Sequence, residues 1–183
     1  MWKNFCGFLL RSMGWTAVEP PAPEKKCIIL GVPHTSMWDF VVSYLYYTSV
    51  GGTANVMIAK EFFWWPLGSL LKALGAVPVD RKNPTALMVS IIHEMNKAEY
   101  MHLAIAPEGT RKAIKRWKTG FHTIAKECNI PVYLGYFDWK TKRVGRGVKV
   151  ELTDDARADM KRIQDLYEQM HMQGKHPEKY VTH

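Results

Sequence analysis

In the stretch PHTSMWDF, residues 33–40, a histidine stands five positions before an aspartate in otherwise apolar sequence. An imidazole beside a carboxylate is a general base with an orienting partner, and such a pair can activate a hydroxyl by taking its proton. The same letters also spell a helix start. Ser36-Met37-Trp38-Asp39 matches a capping box, in which Ser36 caps the helix and Asp39 reaches back. The two readings are compatible, because a histidine just outside a helix N-terminus lies near an acid in its first turn. On one continuous helix, five positions would instead separate them by about 140°. The helix N-terminus favours the neutral, basic imidazole, and Asp39 would fix its tautomer and stabilise the charge formed on proton uptake. No protein nucleophile is required, so the activated hydroxyl can belong to a substrate. A lone H-x-x-x-x-D is common by chance and needs company.

Two further stretches supply candidates. APEGTRK, residues 106–112, brings together an acid (Glu108), a residue permitting close backbone approach (Gly109), a hydroxyl (Thr110) and a fork-shaped cation (Arg111) suited to a phosphate. Its plainer reading is a tight turn with a solvated arginine. IAKEFFWWPLGSLLKALGAVPVDRKN carries Lys60 and Arg81 at opposite ends of a very apolar segment. Phe62, Phe63, Trp64, Trp65, Leu67, Leu70, Leu71 and Leu74 exceed what one helix stripe requires. They are either ordinary core, or an acyl-chain slot or membrane-dipping surface with cations at its mouth for a head group.

The elements that must position these residues follow from pattern. The 183 residues suit one domain with one core, and 47% hydrophobic against 23% charged residues argues against wholesale disorder. After a Pro-rich linker at 19–26, CIILGV is a buried-strand candidate with the histidine motif at its carboxyl end. A helix is expected over 37–49, a strand over 55–59, a helix over 66–74 and a strand in AVPVD. Pro84 opens a helix, MHLAIA is a strand running into PEGTR, and 117–128 is helical. PVYLGYFDW and RVGRGVKVELT read as two strands, and an amphipathic helix starts near Asp154 and Asp155. Such alternation predicts an α/β fold: a mostly parallel sheet flanked by helices, with antiparallel edge strands near the C-terminus. PHTSMWDF, AKE, VDR and PEGTR would all leave the carboxyl ends of strands, where open α/β sheets gather ligands.

Charge and composition narrow the partners. Twenty-five Lys and Arg against 17 Asp and Glu give a net charge of +8, which favours nucleic acid, an anionic membrane surface or a phosphorylated substrate. Cys6, Cys27 and Cys128 lack metal-ligand spacing and read as reduced thiols in a cytosolic setting. In MWKNFCGFLLRSMGW, Trp2, Phe5, Phe8, Leu9 and Met13 fall near helical spacing beside Lys3 and Arg11, as in an amphipathic helix lying on a bilayer or one packed on the core. Neither a signal peptide nor a transmembrane helix is expected.

Together and in order, PHTSMWD, AKEFFWWPLGSLLKALGAVPVDR, APEGTR and IPVYLGY resemble the four motif blocks of the lysophosphatidic acid acyltransferase family, over about residues 28–137. The first and third blocks are distinctive as a pair. Pro33 stands where a polar residue is common in the family, and Lys112 where a small hydroxyl residue is common. The resemblance implies an α/β acyltransferase with His34 as general base and Asp39 as its support. It also implies an acceptor head-group site of Lys60, Arg81, Glu108, Gly109, Thr110 and Arg111. No cofactor or metal is expected. The partners implied are a lysophospholipid acceptor, acyl-CoA or acyl-carrier protein as thioester donor, and an anionic membrane surface. The expected layout is a membrane-associating segment at 1–18, a linker at 19–26 and the acyltransferase domain at 27–183, cytoplasmic and peripheral on the inner face of the membrane.

Three rivals stand beside this reading. One is a lipid-binding relative without turnover. Another is nucleic-acid binding through Arg111, Lys112, Lys115, Arg116, Lys118 and the interleaved Trp117, although such a run is more often a solvated face. The third is a metal hydrolase built from His34, Asp39 and Glu108, which lacks a second histidine at ligand spacing.

Overall fold

The run KCIIL becomes strand β2, and its alternation of faces organises two layers of core. In the computed structural model, which describes residues 1–73, 75–79 and 83–183, Ile28 and Leu30 pack with Leu103, Phe121, Ile124 and Ile163 on one side of the sheet. Cys27 and Ile29 pack with Cys6, Leu10, Val42, Tyr46 and Tyr47 on the other. This is the period of two expected of a strand covered on both faces.

In chain order the elements are α1 (Trp2–Ser12), β1 (Thr16–Ala17), β2 (Lys26–Leu30), α2 (Trp38–Ser49), β3 (Ala54–Ala59), α3 (Leu67–Ala73), β4 (Ala76–Val79), α4 (Pro84–Lys97), β5 (Met101–Ile105), α5 (Gly120–Cys128), β6 (Val132–Tyr133), β7 (Tyr136–Asp138), β8 (Arg143–Gly145), β9 (Lys149–Val150) and α6 (Ala156–Gln169). Among the described residues, six strands form one sheet in the order β4-β3-β5-β2-β6-β9. Its first five strands run parallel and β9 pairs antiparallel at the edge. The expected α/β class is therefore observed, antiparallel C-terminal edge included.

Local chemistry explains the helix starts. Asn83 caps α4 by accepting the Ala86 N–H, with Pro84 in the first turn. Asp155 caps α6 by accepting from Arg157 and Ala158. The helix expected from residue 117 begins at Gly120 instead, because Trp117 is 4% exposed in the core and its indole donates to the Val181 carbonyl at 3.1 Å. That burial removes Trp117 as a stacking platform for a base.

PVYLGYFDW and RVGRGVKVELT, each expected as one strand, are each broken in two. β6 and β9 belong to the main sheet, whereas β7 and β8 join β1 in a three-stranded sheet. The crossing lies at Leu134–Gly135 and at Arg146–Val148, where Leu134 N–H meets the Val148 carbonyl at 2.9 Å. Gly147 sits there at φ 65, and an added Cβ would run into the Leu134 carbonyl oxygen. Only glycine fits both the left-handed conformation and the close approach.

Among the described residues the buried histidines are partnered, while the Trp15 indole N–H and the Tyr180 hydroxyl are buried without a hydrogen-bond partner. His102 bonds Tyr47 Oη at 2.5 Å and the Glu24 carbonyl at 2.7 Å, and His122 pairs with Asp159 at 3.0 Å. His93 is exposed. The three cysteines are unpaired, and burial pushes the Cys27 thiol up to about 12.

Gly14 offers a control for Gly147, since it has φ 80 with nothing within 4 Å of an added Cβ. Gly147→Ala is expected to destabilise by roughly 3 kcal/mol or more, from conformational strain plus the clash, and Gly14→Ala by about 1 kcal/mol from strain alone. Denaturant unfolding of the two variants measures the difference.

Candidate active site

Adjacent parallel strands decide which loops meet. β2 and β5 pair from Lys26 and Met101 to Leu30 and Ile105, and the Gly31 N–H extends the ladder to the Ile105 carbonyl at 2.9 Å. His34 and Glu108 therefore leave neighbouring central strands at the same level. The Glu108 carboxylate accepts a hydrogen bond from the backbone N–H of His34 at 2.7 Å.

The helix start behaves partly as its capping box predicts. α2 begins at Trp38 with Met37 as its N-cap, one residue later than expected, and Ser36 Oγ accepts the Trp38 N–H at 3.2 Å. The Asp39 reach-back is made in full. Its Oδ2 accepts the N–H groups of Thr35 at 2.8 Å and Ser36 at 2.7 Å. His34 Nδ1 lies 3.5 Å from the same oxygen, beyond a good hydrogen bond but in ion-pair reach. Catalytic contacts are often long before substrate binds. With Nδ1 turned to Asp39, Nε2 is the ring nitrogen left to take a proton. The His34 side chain is 27% exposed and that of Asp39 is enclosed. The Val32–Pro33 peptide is cis.

Glu108 is 3% exposed. Burial pushes its carboxyl up from the ordinary 4.5 to about 8; the His34 N–H opposes this rise and the charge of Asp39 adds to it. The resemblance places Glu108 in the head-group site, and the structure turns its carboxylate inward onto the His34 main chain. Gly109 occupies the turn at φ 66, with its N–H on the Ala106 carbonyl at 3.0 Å. Thr110 accepts from the Lys112 N–H at 3.3 Å. Arg111 is exposed on the loop that follows. Among the described residues, no hydrogen bond ties Thr110 or Arg111 to His34 or Asp39. Lys60 is exposed in a short 3-10 turn directly after β3, the strand flanking β5 on its other side. Arg81 lies outside the described residues.

Two features escape a reading of the motifs. Trp139 donates its indole N–H to Asp39 Oδ1 at 2.8 Å from 100 residues away. Thr35, beside the candidate base, accepts from the His176 N–H at 3.2 Å through its Oγ1, so the segment after α6 lies against the histidine loop. No local spacing signals either contact. Five N–H groups of the two loops are also already engaged: His34 with Glu108, Thr35 and Ser36 with Asp39, Trp38 with Ser36 and Gly109 with Ala106.

The aromatic stretch is not ordinary core. Phe62, Trp64, Trp65 and Leu70 are exposed, Trp65 by 84%. α1 is two-faced, with Cys6 and Leu10 buried and Trp2, Phe5 and Phe8 exposed. No helix among the described residues is long and apolar enough to cross a membrane.

Comparison with known proteins then bears on the chemistry. The family model Acyltransferase matches residues 5–134. The chain belongs to this acyltransferase family. No curated protein matches it. Among solved structures it is similar to the crystal structure of the 1-acyl-sn-glycerophosphate (LPA) acyltransferase, PlsC, from Thermotoga maritima. The TM-score is 0.62 and the identity 14%, over 92% of this chain and 76% of that one. The likeness extends the shared fold past the family match to most of this acyltransferase chain.

Glu108 carries a stability signature. Between about pH 4.5 and about pH 8 the folded chain holds a proton on Glu108 that the unfolded chain has released, so stability falls as pH rises through that window. Glu108→Gln keeps an oxygen for the His34 N–H and removes the titration. Urea unfolding at about pH 5 and about pH 8 should show a smaller decline in the variant than in the unaltered chain.

Proposed function

We propose that this acyltransferase moves a fatty acyl group from a thioester, on coenzyme A or acyl-carrier protein, to the free hydroxyl of a lysophospholipid such as 1-acylglycerol-3-phosphate. The observation that carries this reading is the His34–Asp39 pair, with Nδ1 facing the enclosed carboxylate and the imidazole partly open. His34 Nε2 takes the acceptor hydroxyl proton as the oxygen attacks the thioester carbonyl. Asp39 stabilises the imidazolium, the C–S bond breaks, and the thiolate recovers the proton from His34. The step is balanced without an added reagent.

Glu108, buried and held to the His34 main chain, acts in this reading as a clamp on the base's loop. Lys60, Arg81 and Arg111, with Gly109 and Thr110, remain the proposed cradle for the acceptor phosphate. Because the amides of His34, Thr35, Ser36, Trp38 and Gly109 are engaged with the protein, the negative charge developing on the carbonyl oxygen falls to side-chain cations in this reading.

Attachment to an anionic membrane is part of the proposal. It is supported by the exposed aromatic residues of α1 and of the 62–70 segment, together with the net charge of +8. Two weak anchors hold a protein on a bilayer where one does not.

In a transfer assay pairing acyl-CoA and acyl-carrier protein with a panel of lysolipids, His34→Ala is expected to lose activity by roughly 10²–10⁴-fold. Unchanged transfer in that variant would sink the mechanism. Vesicle binding without transfer from either donor to any lysolipid would mark a lipid-binding relative instead. Separately, Trp64→Ser combined with Trp65→Ser should weaken co-sedimentation with vesicles containing anionic lipid, while the melting temperature stays close to that of the unaltered chain, because both rings are exposed.

A further inference from the structure

The family motifs end near Tyr136, but the His34–Asp39 pair is completed from beyond them. Of the two Asp39 oxygens, Oδ2 takes the Thr35 and Ser36 N–H groups and faces His34. Among the described residues, Oδ1 takes only the indole N–H of Trp139, at 2.8 Å. We propose that Trp139 is a positioning residue for acyl transfer, holding the Asp39 carboxylate in the orientation that presents Oδ2 to His34. This rests on the reading of His34 and Asp39 as base and partner.

The chemistry suits the task. Donors on one oxygen alone leave the carboxylate free to turn about its terminal bond; a donor on the other oxygen fixes its plane. An indole offers one rigid N–H and no acceptor, so it cannot compete with Asp39 for the backbone donors. Asp39 is 1% exposed, and loss of the donor would leave a buried oxygen unpaired. Trp117 provides a contrast, since its indole is spent on the Val181 main-chain carbonyl rather than on a carboxylate.

The indole is itself held from several sides. Asp138 accepts the N–H groups of Lys140 at 3.1 Å, Thr141 at 3.3 Å and Gln173 at 3.0 Å, building the turn that projects Trp139. The Trp139 backbone N–H returns a bond to the Gln173 carbonyl at 2.9 Å. Trp15 meets the ring edge-on at 5.0 Å between centroids. Lys142 and Lys175 place ammonium groups 4.3 Å and 5.1 Å from its centroid. Cations over the ring draw electron density from it and leave the N–H a better donor. Three residues beyond Gln173, His176 bonds Thr35. The segment 173–176 thus splints Trp139 to the histidine loop.

Trp139→Phe keeps an aromatic, though smaller, ring and deletes the donor. With transfer active in the unaltered chain, its kcat is expected to fall roughly tenfold, the scale of one hydrogen bond to a charged group, with KM for donor and acceptor changed less than about twofold. In an Asp39→Asn background the same substitution should cost no further activity, because both act through one carboxylate. A structural readout stands beside the kinetics. In ¹⁵N-labelled protein, the Trp139 indole resonance should be protected from solvent exchange and should shift in Asp39→Asn. An unaltered kcat in Trp139→Phe, losses that multiply in the double variant, or an indole signal indifferent to Asp39→Asn would each overturn the proposal. If Trp139→Phe does not fold, the indole signal in the unaltered chain and in Asp39→Asn decides. No transfer by the unaltered chain would overturn the acyl-transfer reading and the role of Trp139 with it. Active wild-type chain with an active Trp139→Phe overturns the role of Trp139 alone.

Discussion

A carboxylate enclosed within the protein is the constraint around which the site is built. Removing an ionised carboxylate from water costs several kcal/mol even after relaxation, so Asp39 is tolerable only with donors on both oxygens. Two come from its own loop, the Thr35 and Ser36 amides, and the third comes from Trp139. The first two require the chain to turn sharply between β2 and α2. The third requires the crossover between β6 and β7 to bring a distant turn beside that loop. Backbone bonds from Val32 to Gly135 at 3.3 Å and from Phe137 to Val32 at 3.1 Å are how the crossover meets that demand. Helix start, sheet order and crossover are thus coupled through one side chain.

A second buried carboxylate stands nearby and is handled differently. Glu108 accepts one N–H where Asp39 accepts three, and burial outweighs that single bond. Burial thus shifts its carboxyl toward the protonated form, which lessens the cost of two like charges in a poorly solvated space. As a neutral acid it can still accept from the His34 amide. Its loop leaves β5 and His34 leaves β2, so the bond ties together the ends of the two central strands.

Much of this was legible in local pattern. Alternating strand and helix signals, the turn residues between them and the C-terminal antiparallel edge follow from side-chain periodicity, which acts over a few residues. His34 and Glu108 were legible for a related reason: each follows a predicted strand, and parallel strands deliver their ends to one side of a sheet, while Asp39 falls in the first turn of the helix predicted after His34. Trp139 and Thr35 were not. Trp139 lies within a segment read as the end of a single strand, and only the break at Leu134–Gly135 aims its indole at Asp39. That break depends on close backbone approach between distant segments, of which a strand pattern carries no trace. The capping box failed by one residue because Asp39 bonds two successive amides, Thr35 and Ser36, and so holds the chain in a turn that delays the first helical residue to Trp38.

Holding the carboxylates has a consequence for chemistry. A helix start with free amides is a ready anion site, but here the amides of His34, Thr35, Ser36 and Trp38 are engaged by Glu108, Asp39 and Ser36. The loop spends these donors on holding Glu108 and Asp39 around His34, the proposed base. For the acyl transfer proposed above, which builds negative charge on a carbonyl oxygen, these four amides are not free to stabilise that charge. The exposed cations Lys60 and Arg111, each on a loop that leaves a strand beside the site, are of the type to do so. Base and charge stabiliser are in that case carried by different segments. Substitutions on the cation-bearing loops can then change the acceptor while leaving the geometry of His34 and Asp39 intact.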